Sequence, residues 1–212
     1  MRGRVAPATS ISPVSGVRIR HPYGSHTAHR TILTARSWVR ARIPHNSDVV
    51  DDAEALLNAA RVRLAEADVP RERLGEVVRP RVLTGLRSPK VVPRGDVWRL
   101  GVLLLGDRDV YAAGNVVRAG DPGRRGFASD AARARAEVAA AATRGGFVDG
   151  ETVHLDWKAL DLSALARGEK IGPLALVSGT PSIRWSPAAG LVPLAGYLDE
   201  RLALILHPPQ GA

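Results

Sequence analysis

"VWRLGVLLLGDRDVYAAGNVVRAG" (residues 97–120) sets two apolar runs on either side of the polar tetrad "GDRD". Glycine and aspartate tolerate the dihedrals of a tight reversal, so the pattern predicts a β-hairpin with strands at 97–105 and 110–118. In that register opposed residue numbers sum to 215. One face then holds Arg99, Gly101, Leu103 and Leu105 with Val110, Ala112, Gly114 and Val116. The other holds Trp98, Leu100, Val102 and Leu104 with Tyr111, Ala113, Asn115 and Val117. Both faces are largely apolar, which places the strands centrally in a sheet. Gly101 falls opposite Gly114, a notch suited to a closely packed small-residue helix or to a ligand approaching the backbone.

The small-residue helix follows directly. "SDAARARAEVAAAATRGG" (129–146) is alanine-rich, puts Arg133, Glu137 and Arg144 near one outward face, and offers Gly145 as a C-cap. Upstream, Asp51 and Asp52 open a second helix with a broad apolar stripe of Ala53, Leu56, Leu57, Ala60, Val62, Leu64 and Ala67, and Pro70 stops it. "PRERLGEVV" (70–78) reads as one or two further helical turns, and 79–96 as loop with short extended pieces. "ETVHLDWKALDL" (151–162) alternates as a strand with Val153, Leu155, Trp157 and Ala159 inward and His154, Asp156 and Lys158 outward. "GPLALVSGTPSIRWSP" (172–187) is a second hairpin turning at "SGTP", with Trp185 in the apolar phase, and 192–206 is a last helix. Trp98, Trp157 and Trp185 all read as core. The fold class is therefore α+β: a mostly antiparallel sheet of hairpins, flanked by about three helices and preceded by a disordered basic segment.

That segment carries most of the charge. The chain has 212 residues and a formal net charge of +9. Residues 1–48 contribute eight arginines and one acid, a net of +7, while 49–212 is close to balance at +2. Residues 1–48 also hold four of the six histidines and lack sustained periodicity, so they are expected to be disordered. Three readings compete. The arm meets nucleic acid or an acidic partner, or it is an organelle transit peptide, or it is translated from upstream of the native start. The third is favoured: arginine outnumbers lysine 27 to 3, as GC-rich coding produces, and a valine codon at Val49 or Val50 would lead straight into "DDAEALL". A nucleic-acid partner is expected only if residues 1–48 belong to the native protein. The domains are thus 1–48 and a single α+β domain over 49–212.

Cysteine is absent, which excludes disulfides, thiolate metal sites and cysteine nucleophiles. His21, His26 and His29 match no structured metal spacing, so no metal is expected and no cofactor is indicated. No apolar run reaches membrane-spanning length, and a soluble cytoplasmic protein without a membrane partner is expected. Two constellations carry chemistry. The connection into the alanine-rich helix holds Gly123, Arg124, Arg125, Gly126 and Ser129; glycine N–H groups, a helix N-terminus and guanidinium forks make an anion site. It matches neither the P-loop nor the dinucleotide fingerprint. His154 and Asp156 share a strand face, where Asp156 would orient the imidazole for acid–base work.

The stretches "WRLGVLLLGDRDVYAAGNVVRAG", "GGFVDGETVHLDW" and "RWSPAAGLVPLAGYLDERLALI" resemble a family of small uncharacterised proteins from bacteria with GC-rich genomes. The resemblance covers most of 70–212. Some members carry the label glutaminase, which implies an amide hydrolase. Against that, no serine here is followed three positions later by lysine, and there is no cysteine to serve the amidotransferase chemistry. The expected function is a non-catalytic binding or interaction protein for a small anionic ligand or a protein. The alternatives are an amide hydrolase using His154 and Asp156, and nucleic-acid binding through the arm.

Overall fold

The computed structural model describes residues 46–79, 88–121, 123 and 129–209. The expected disordered arm lies, for residues 1–45, outside them. The described chain is α+β, with four helices and ten strands. Helix α1 (Asn46–Glu66) begins inside the segment assigned to the arm. Val49, Ala53, Leu57, Ala60 and Leu64 form its fully buried stripe, at the three- and four-residue spacing that keeps side chains on one helix face.

Residues 70–78 are not helical. They form β1 (Glu72–Val78), which pairs antiparallel with β2 (Lys90–Leu100). The alternation that would mark a strand is hidden by charge. Glu72, Arg73 and Glu76 find partners across and beside the ladder, with Glu76 meeting Arg94 at 2.6 Å and Arg73 pairing with Asp96. The expected strand 97–105 is also two strands. Gly101, at φ +62°, turns the chain between β2 and β3 (Leu103–Leu105), so that Leu100 faces Leu103 and Trp98 faces Leu105. Trp98, Leu100, Leu103 and Leu105 therefore share one core, which an unbroken strand would not allow.

The quoted hairpin itself forms in the expected register: Leu103 opposes Ala112, Leu104 opposes Tyr111 and Leu105 opposes Val110. Beyond β4 (Val110–Ala112) the chain continues through Ala113–Gly114 into β5 (Asn115–Arg118). After helix α2 (Asp130–Arg144) it returns as β6 (Thr152–Leu155) and β7 (Lys158–Ala159). β5 pairs with β6 and β4 with β7 in one common register, interrupted at Ala113–Gly114 and Asp156–Trp157. Because β6 also pairs parallel with β1, the seven-stranded sheet β5-β6-β1-β2-β3-β4-β7 closes on itself as a ring of five extended segments. Leu74, Val97, Leu104, Tyr111, Ala113 and Trp157, drawn from all five segments, pack together in its interior.

Two layers cover the ring. On the β2–β4 side lie α1, the short α3 (Leu162–Ala166), the three-stranded sheet of β8 (Leu174–Val177), β9 (Thr180–Ile183) and β10 (Val192–Pro193), and α4 (Leu194–Leu206). The β8–β9 hairpin turns at Ser178–Gly179, both at positive φ. On the other side α2 packs Ala141 and Ala142 with Val91, Val153, Leu155 and Phe147. The expected notch does not form. Gly101 meets the Tyr197 hydroxyl, and Gly114 lies against the carbonyls of Leu155 and Asp156, where no side chain would fit. Helix α2 is seated elsewhere, by its cap Gly145 against the carbonyl of Val91. Trp185 is half exposed rather than core, because β9 ends at Ile183, and the polar Ser182 beside it is buried.

Candidate functional site

Helix α2 has the alanine content that lets a helix lie close to a sheet, yet only its C-terminal end does so. Ala141 and Ala142 are buried, whereas Ala134 is exposed and Ala136 and Ala139 only partly covered. A methyl group reaches too short a distance to fill a gap that widens toward the N-terminal half. Two clefts result, and Val77 and Val138 wall both of them.

The first, about 630 Å³, opens toward β5. Its walls are mostly apolar: Val77, Val116, Val117 and Leu155 from the sheet, and Ala134, Ala136 and Ala139 from the helix. Arg118, Arg135, Asn115 and Asp156 supply the polar rim. Val77 and Val116 are 39% and 43% exposed, so the cleft leaves large apolar side chains uncovered. A concave apolar volume of this size with a few convergent polar groups is what a small ligand needs. The second cleft, about 580 Å³, lies along the opposite flank and is lined by Arg79, Arg133, Arg144, Glu137 and Gly123. Arg144 donates from Nη2 to the Pro89 carbonyl at 2.9 Å, so part of its fork is occupied.

The expected anion site reaches the second cleft only through Gly123. Its N–H is donated to the Asp121 carboxylate at 2.9 Å, and Ser129 caps α2 by accepting from Ala132 N–H at 3.2 Å. Both of those groups are thus used within the chain, and Arg124, Arg125 and Gly126 lie outside the described residues.

The expected acid–base pair is rearranged. His154 is completely buried, not on a solvated face, because α2 covers one face of β6 and the ring's interior, where His154 lies beside Leu74, covers the other. Its Nε2 pairs with Glu72 on β1, the strand that runs parallel beside it, and its Nδ1 has no partner among the described residues. Asp156, at φ +55°, breaks the β6–β7 segment and accepts a 2.7 Å hydrogen bond from the Asn115 side chain at the cleft rim. Residues two apart share a face only in an unbroken strand, and the left-handed turn at Asp156 ends that relation. Glu72 was missed because 70–78 read as helical. Its signal, a charged residue flanking Leu74 and Gly75, is also what a helix surface shows.

On β4 Tyr111 donates to Asp109 at 3.3 Å. Burial, reinforced by the Asp109 charge and hydrogen bond, raises its pKa above 10.0. No group of three or more histidines and carboxylates among the described residues is arranged to hold a metal. No described helix is long and apolar enough to cross a membrane.

Fold and site together define an α+β protein with a closed five-segment barrel and an apolar cleft under helix α2. No family model, curated protein or solved structure matches the chain.

Proposed function

We propose that the protein is a non-catalytic binding module whose ligand lodges an apolar group under the N-terminal half of α2 and an anionic group against Arg118 and Arg135. The observation that carries this reading is the cleft of about 630 Å³, with exposed Val77 and Val116 inside and two guanidinium groups at its rim. Apolar burial supplies affinity, and the arginines choose the sign of the ligand's charge.

An amphipathic aromatic sulfonate, 1-anilinonaphthalene-8-sulfonate, is a suitable probe because its fluorescence reports entry into an apolar volume. Saturable binding to the full chain is expected. Ala136→Trp, which fills the cleft, should weaken it by about tenfold or more, as should Arg118→Ala with Arg135→Ala. Equal binding by all three proteins, with unchanged thermal unfolding of the free forms, rules the cleft out. The hydrolase alternative loses its basis in geometry, since His154 is closed to solvent and bonded to Glu72 rather than to Asp156.

A further inference from the structure

We propose that the occupant of this cleft is an extended acidic peptide that adds as a strand to the free edge of β5 and places an aliphatic side chain beneath α2; the inference rests on reading the cleft as a binding site. Among the described residues β5 has a partner on one edge only. Its pairing with β6 continues in register to Ala119, whose N–H donates to the Glu151 carbonyl at 2.9 Å. In an antiparallel ladder, alternate residues exchange hydrogen bonds with the partner strand. Counting back from Ala119, Val117 and Asn115 point their backbone groups at β6, and Val116 and Arg118 point theirs away.

Nothing among the described residues pairs with that outward edge. β3, the neighbour of β4, makes its last bond to this segment where Ala113 N–H meets the Val102 carbonyl. Two residues' worth of donors and acceptors therefore stand open beside an apolar cleft. A strand added there would lie one sheet spacing from β5, and every second side chain would turn toward α2. The alanines of that half of the helix leave the room such a side chain requires. Natural sheets guard open edges with bulges, proline or lysine. β5 has none of these, and of its four residues only Arg118 is charged.

The rim selects the sequence of the peptide. Arg118 and Arg135 face the opening, and the one carboxylate there, Asp156, is already held by Asn115. Acidic residues flanking the aliphatic anchor complement that charge. A second copy of this chain pairing through β5 would instead bring two sets of Arg118 and Arg135 onto one seam, which like-charge repulsion opposes.

The test uses the full chain with the sulfonate probe bound and three peptides: acetyl-Glu-Val-Leu-Val-Glu-amide, the same peptide N-methylated at both valines, and a version with lysine in place of glutamate. The acidic peptide is expected to displace the probe and to slow hydrogen exchange at the Val116 and Arg118 amides by about tenfold or more. The N-methylated and lysine peptides should compete at least about tenfold less well. Val116→Pro, which removes an outward N–H that an edge strand can lose, should weaken the peptide by a clearly larger factor than it weakens the probe. If the probe binds and the peptide does not, or the N-methylated peptide competes equally, strand addition is overturned and the cleft reading survives. Equal competition by the lysine peptide overturns the charge assignment. Protection of Val116 and Arg118 in the free chain, together with sedimentation as a dimer, assigns the edge to a second copy and overturns the proposal. Binding of neither probe nor peptide removes the cleft reading itself.

Discussion

A single oxygen fastens α4 to the barrel. The Tyr197 hydroxyl donates to the Leu100 carbonyl at 2.8 Å and accepts from the Val102 N–H at 3.0 Å, clasping the turn that Gly101 makes. Tyr197→Phe leaves both backbone groups without that partner and should cost about 1–2 kcal/mol in urea unfolding. Burial raises the Tyr197 pKa above 10.0, against the opposing pull of the Val102 hydrogen bond. A raised folded value favours the protonated phenol, so this part of the stability is complete below about pH 10 and lost as the pH climbs through the folded value. Tyr197→Phe should therefore show a shallower alkaline loss of stability than the parent, and Tyr111, raised in the same direction, a smaller version of that difference. The pairing of His154 with Glu72 gives a second residue-scale expectation. Glu72→Ala strips a buried imidazole, whose Nδ1 has no partner among the described residues, of the hydrogen bond at its Nε2. It should lower stability by about 1–3 kcal/mol in urea, and Glu72→Gln by clearly less. A histidine between Val153 and Leu155 was legible as a residue of interest. Its true partner was not, since that depends on which strand lies beside it.

At the scale of elements, the legible parts were those with local causes. The 106–109 turn, the Ser178–Gly179 turn and the cap Gly145 each announce themselves within four residues, and each forms. β1 did not, because its charged positions find their partners on β2, on β6 and in the segment before β6. The β2–β3 reversal was hidden inside an apolar run where a two-residue turn needs nothing but Gly101. The cleft had no signal either, since it consists of what alanine side chains fail to fill. How α2 is held can be tested directly. A methyl group on Gly145 would fall on the Val91 carbonyl, a rigid backbone atom. Gly145→Ala should cost about 1–3 kcal/mol through this overpacking and free the C-terminal end of α2. Circular dichroism with urea titration measures the loss, and a neutral outcome would mean that α2 is not seated by its cap.

For the whole molecule, the decisive fact is how the ring closes. Four of its junctions join neighbours in the chain or strands of one continuous register. The fifth, β1 with β6, joins Arg73 to Val153, 80 residues apart, through only two paired positions. Closing so long a loop costs entropy before its few contacts repay it, whereas the β3–β4 hairpin closes over the four residues of its turn. The meander should consequently form first, and the β6–β1 seam, with α2 laid over it, should form on the native side of the folding barrier. Leu104 sits in the meander and Val153 at the seam, both fully buried. Leu104→Ala should cost about 2–5 kcal/mol and act substantially through slower refolding. Val153→Ala, also destabilising, should leave the refolding rate nearly unchanged and speed unfolding instead. Stopped-flow refolding and unfolding in urea separates the two. A refolding rate as sensitive to Val153→Ala as to Leu104→Ala would place the parallel seam in the folding nucleus and reverse this order. The same seam borders the helix that roofs the proposed site, so an element that forms late and opens early is also the one that would let a ligand in.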